Sequence, residues 1–96
     1  MKPTKSIIQT EYECYICGKR NCKLDEHHCL SGTSNRKHSE RLGLKIWLCP
    51  DCHRKLHDDH NGRELELSVK QLGQRKFEEV YGTREEFISI FGKSFL

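Results

Sequence analysis

The sequence predicts a small α+β domain: two short strands and a helix clasped together, followed by further helices. Three observations predict it. The chain has 96 residues, two C-x-x-C pairs bracket a strand-like region, and apolar spacing changes from period two to helical along the chain. A core of this size leaves little apolar burial to offset the entropy of ordering the chain, so an additional clasp is expected.

The cysteines supply that clasp. Residues 1–8 hold only two apolar residues after the start, with no signal segment, so six cysteines point to a reduced, cytoplasmic protein rather than a disulfide scaffold. In Cys14-Tyr-Ile-Cys17 and Cys49-Pro-Asp-Cys52 a three-residue step sets two thiolates on one side of a tight turn. Two such turns provide the four-sulfur tetrahedral shell preferred by structural zinc. Zinc contributes on the order of 10 kcal/mol to folding in isolated zinc peptides, enough to offset a small core. Cys22 and Cys29 are read as small apolar fillers, with Cys22 a competitor for the ion if the first knuckle is drawn differently.

The remaining elements follow in order. Residues 1–10 read as a mobile arm and residues 11–62 as the clasped core. The 31 residues between Cys17 and Cys49 exceed the roughly 15 to 20 of a simple zinc ribbon, so an inserted element is expected. It reads as a strand over 23–30, a loop at Ser31-Gly32-Thr33-Ser34, and a polar helical turn over 35–42 stopped by Gly43. A second strand covers 44–48, where Leu44, Ile46 and Leu48 alternate with Lys45 and Trp47. Pro50 and Asp51 then favour a helix start. Residues 63–96 form a helical extension. Ser68 and Gln71 resemble a capping box before a helix to about Tyr81, striped by Val69, Leu72, Phe77 and Val80. Thr83 and Glu86 form a second capping box before Phe87, Ile88, Ile90 and Phe91. These helices are expected to pack on the core, leaving a monomer, or to form a homodimer interface. No apolar run approaches the roughly 18 residues of a membrane span, so no membrane partner is expected.

Charge is unevenly placed. Residues 1–57 carry 11 basic and 6 acidic side chains, a net of +5, whereas 58–96 carry 6 and 8, a net of −2. A basic half suits a phosphate-facing surface, although a solvated face explains the charges equally well. Arg36, Lys37, Arg41, Lys45, Arg54 and Lys55 are the candidate phosphate contacts.

The same half holds the histidines. His53 and His57 are four apart on the predicted helix, neighbours able to chelate one ion. If the hairpin folds back, adjacent His27 and His28 on the first strand would bring in two more imidazoles, three to converge on an ion and one free as a base.

His27-His28, the second knuckle and His53-x-x-x-His57 together resemble the ββα-metal motif of HNH endonucleases, over residues 14–57. The two histidine pairs are similar to colicin-type nucleases, and the two knuckles to zinc-bearing phage resolvases. The resemblance implies a zinc-stabilised, treble-clef-like core and a DNA endonuclease encoded by a bacterium or phage. It assigns His28 as general base and His27, His53 and His57 as ligands of one catalytic divalent ion, with products carrying a 5′-phosphate and a 3′-hydroxyl. An imidazole-rich shell suits zinc, nickel, cobalt or manganese better than magnesium.

Three points stay open at this level. The asparagine that names the motif falls where this chain has Leu44, and Asn35 is the candidate to brace the hairpin or the base, with a helix cap as its other reading. Neighbours on a flat strand face opposite ways, so either a twist or bulge brings His27 into the site beside His28, or Glu26 takes its place. His60 is a further rival ligand, or a fraying helix end before the Asn61-Gly62 turn. Leu44 also keeps a second function in view, a zinc-stabilised DNA-binding module without catalysis.

Overall fold

The computed structural model describes residues 5–58 and 62–96. The readings placed on His60 and Asn61, and the first four residues of the expected arm, lie outside the described residues. Strand β1 (Asp25–His28) and strand β2 (Lys45–Leu48) pair antiparallel, with Asp25 opposite Leu48, Glu26 opposite Trp47, His27 opposite Ile46 and His28 opposite Lys45. Between them runs helix α1 (Thr33–Leu42), two residues longer at its start than expected. It ends where expected, on Gly43, whose left-handed backbone (φ 72°) turns its N–H back to the carbonyls of Glu40 and Ser39. A side chain there would also lie 2.5 Å from the Lys5 carbonyl, so glycine is required twice over.

The period-two pattern is correct for one face of the sheet, where Leu44, Ile46 and Leu48 are all buried. The other face is covered as well, which Lys45, a candidate phosphate contact, shows most clearly. Lys45 is only 1% exposed, and Trp47 is half-buried. Residues 6–9 lie along β2: Ser6 Oγ donates to the Lys45 carbonyl (2.6 Å), the Ile7 N–H to the Gly43 carbonyl (2.9 Å), and the Trp47 N–H to Gln9 Oε1 (2.9 Å). From Lys5 onward the expected mobile arm is therefore bound to the sheet. The reason is the edge of β2, whose backbone groups need partners that β1 does not supply.

Helix α2 (Pro50–Leu56) starts as predicted, with Pro50 in its first turn and the Cys49 sulfur accepting from the Cys52 N–H. Helix α3 (Gly62–Val80) starts earlier than expected. Ser68 lies inside it and donates to the Leu65 carbonyl (2.8 Å), so the Ser68–Gln71 capping box is not a helix start. Helix α4 (Arg84–Phe91) has the predicted Thr83–Glu86 capping box with both halves made.

The extension packs on the clasped core through one continuous apolar cluster. Gly73 is a point of close approach, since a Cβ there would stand 2.7 Å from Cys29 Cβ and 2.8 Å from a Leu30 methyl. Phe77, Phe87 and Phe91 close the helical end, with the last two rings 4.6 Å apart. Val80, expected in the stripe, is 52% exposed. Buried Gln74 faces inward instead, accepting from the Phe95 N–H (2.7 Å) and donating to Ser94 Oγ (2.9 Å). Among the described residues no helix is long and apolar enough to cross a membrane.

Candidate metal centres

The two knuckles meet. The sulfurs of Cys14, Cys17, Cys49 and Cys52 all lie within 4.8 Å of one another, and those of Cys17 and Cys49 are 3.7 Å apart. Four sulfurs about 2.3 Å from a tetrahedral ion stand about 3.8 Å from each other, whereas a disulfide needs about 2.05 Å. The spacing therefore fits a structural zinc shell, and all six cysteines are free thiols. Burial opposes the Cys14 thiolate, but backbone N–H groups of Cys49, Cys17 and Ile16 outweigh it and bring Cys14 down to about 6. That favours the metal-binding form of the sulfur. The first knuckle is tied to the sheet by the Tyr15 N–H on the Trp47 carbonyl (2.8 Å), and the second caps α2. The pair thus joins the start of the core to β2 and α2. Cys22 stays outside the set. Burial pushes the Cys29 thiol up to about 12, the inert filler expected.

The histidines divide between the two faces of β1. His27 faces α2: its ring centroid is 5.5 Å from that of His53, which is 5.2 Å from that of His57. Asp25, two residues before His27 and so on the same face, places Oδ2 3.2 Å from His53 Nδ1. Burial first, then the neighbouring His53, His57 and His28, push His27 down to about 4, so its imidazole is neutral at pH 7 with a lone pair to offer.

His28 faces the other way. Its Nε2 lies 3.1 Å from Glu40 Oε1 on α1, and the second Glu40 oxygen is 2.8 Å from the Lys45 ammonium, which also meets Glu26 at 3.1 Å. Adjacent His27 and His28 therefore do not enter one site from the same side. No bulge intervenes, because both pair in regular register with β2. The rival Glu26 is excluded from the face of His53 and His57 by the same alternation. Glu26, His28 and Glu40 do bring their ligand atoms within 4.8 Å of one another. A buried ammonium already neutralises both carboxylates, however, so a metal ion would have to displace Lys45.

Asn35 sits in the first turn of α1, half-buried, and its side chain hydrogen-bonds neither His28 nor the hairpin among the described residues. The cap position itself belongs to Gly32, which offers no side chain. Neither expected role for Asn35 is met. Of the basic residues, Arg36, Lys37, Arg41, Arg54 and Lys55 are exposed, while Lys45 is buried between two carboxylates and cannot reach a phosphate. Two functional candidates were missed in sequence. Asp25 was open to discovery through its i, i+2 relation to His27; Glu40 carries no local signal, since only the packing of α1 brings it to His28. Compared with protein-family models, curated proteins and solved structures, the chain has no significant match in any of the three.

Proposed function

We propose that the chain is a metal-dependent HNH-type endonuclease hydrolysing phosphodiester bonds in DNA, with zinc on the four cysteines and a second divalent ion on His27, His53 and His57. The observation that carries this reading is the row of those three rings on one face of the hairpin, His53 in the middle with its Nδ1 3.2 Å from Asp25 Oδ2. An ion about 2.1 Å from an imidazole nitrogen lies about 3.2 Å from the ring centre, and two rings at a tetrahedral angle then have centres about 5.2 Å apart. The 5.2 Å between His53 and His57 and the 5.5 Å between His27 and His53 match that value for each neighbouring pair. Unlike the sulfurs, the ligand nitrogens of the three histidines are not all gathered within 4.8 Å of one another, so an ion would have to draw them together. With its Nδ1 on Asp25, His53 offers Nε2, the arrangement that orients metal-bound histidines in general.

A bound ion would neutralise charge on the phosphorane and on the departing sugar oxygen. His28 accepts the proton of the attacking water, as a neutral imidazole can near pH 7. That His28 and the ligands occupy opposite faces is compatible with this division. Among the described residues only β2 pairs with β1, so a phosphate lying along the outer edge of β1 would meet His27 on one side and His28 on the other. Exposed Arg36, Lys37, Arg41, Arg54 and Lys55 provide sequence-independent attraction to the strand.

A DNA-binding module without catalysis is the second reading, favoured by Leu44. That residue is wholly buried in the core, where the motif asparagine would be polar. A plasmid-nicking assay with zinc, nickel, cobalt, manganese and magnesium decides between the two. The nuclease nicks with at least one ion, and His28→Ala slows it by roughly 10²- to 10⁴-fold, the usual contribution of a positioned base. DNA binding without nicking under every ion leaves the second reading.

A further inference from the structure

We propose that Glu40 is a positioning residue that selects the tautomer of His28, holding its proton on Nε2 and presenting Nδ1 as the nitrogen that takes the proton of water. The proposal rests on the nuclease reading for its catalytic consequence only. An ionised carboxylate only accepts hydrogen bonds, so at 3.1 Å from Glu40 Oε1 the His28 Nε2 must be the donor. The neutral ring then has its lone pair on Nδ1 alone. Three packing features make Glu40 a fixed partner rather than a passing surface contact. Lys45, opposite His28 in the strand register and 1% exposed, pairs with the second Glu40 oxygen at 2.8 Å and orients the carboxylate. Ser39, wholly buried beside it on α1, exchanges hydrogen bonds of 3.3 Å with both the N–H and the carbonyl of Leu30, locking the helix to the end of β1. Gly43 ends α1 immediately below, its N–H on the Glu40 carbonyl.

The second Lys45 partner, Glu26, has its carboxylate within 4.8 Å of the His28 ring nitrogen but makes no hydrogen bond to it among the described residues, and serves as the control. Nitrogen-15 NMR of the zinc-loaded chain near pH 8 reads the tautomer directly. The wild type shows protonated Nε2 and bare Nδ1 at His28, Glu26→Gln leaves that pattern in place, and Glu40→Gln, which can donate as well as accept, mixes the two tautomers. A wild-type His28 protonated on Nδ1, or an equal change in Glu26→Gln and Glu40→Gln, overturns the assignment. Nicking adds a second readout. Glu40→Gln lowers kcat tenfold or more, up to the roughly 10²- to 10⁴-fold of the positioned base itself, and leaves KM within about twofold. If the wild type nicks and Glu40→Gln matches its kcat, the inference fails while the nuclease stands. If no ion supports nicking in the wild type, the nuclease reading fails, and the tautomer pattern still decides the role of Glu40.

Discussion

The cysteine cluster and the histidine cluster share β2 and α2 as neighbours yet are built to different standards. The four sulfurs are gathered within 4.8 Å, three of them buried, and each knuckle is fixed by backbone hydrogen bonds. The three histidine rings stand 5.2 and 5.5 Å apart in sequence along the face, with His57 exposed at the end of α2. Closed four-ligand shells hold folds together, whereas a centre meant for chemistry keeps a position for substrate. The difference marks the cysteine cluster as the one fit for a structural zinc and leaves the histidine row to the proposed second ion.

Breaking the closed cluster should have the largest effect. Cys49→Ala removes one ligand and the α2 cap; since zinc contributes on the order of 10 kcal/mol to such domains and whole small domains are stable by about 5 to 15, the variant is expected to be unfolded at 25 °C. Circular dichroism and thermal melting check this, and a cooperative melt near the wild-type temperature would remove zinc from the account of the fold. The open cluster should break without that consequence. His53→Ala is expected to lower bound metal from two ions per chain to one and to abolish nicking, with a melting temperature close to that of the wild type. Elemental analysis beside the melt separates the outcomes: one ion in both proteins would show that the histidines hold none.

The smallest effect is one of pH. Folded His27 takes up its proton near pH 4 and an unfolded histidine near 6.5, so between those values the unfolded chain binds more protons and stability falls as pH falls. Between pH 7 and pH 5 the wild type should lose more of its urea midpoint than His27→Ala. Equal losses would mean that burial of the ring, the first cause of its depression, is not what the fold pays at low pH.

Legibility follows the same division. Both knuckles were readable because their ligands are three apart within a turn, and His53 with His57 because helical period is local. Leu44, Ile46 and Leu48 gave away a buried sheet face for the same reason. Lys45 misled: alternation marks a second face but does not say whether anything covers it, and residues 6–9 together with Glu26 and Glu40 do. Ser68 misled in the opposite sense, since a capping pattern is indistinguishable from an interior serine until the helix start at Gly62 is known.

By itself, then, the sequence determined the four-cysteine clasp, the order of strand, helix, strand and helix, and the candidate ligands His53 and His57, all set by spacings of two to four residues. It also carried the rule that separates His27 from His28, because successive strand residues point apart. Only the tertiary structure decided what each one meets: the ring of His53 for His27, and Glu40, itself held by the buried Lys45, for His28. Both partners lie 12 or more residues away along the chain, and no local period reaches that far.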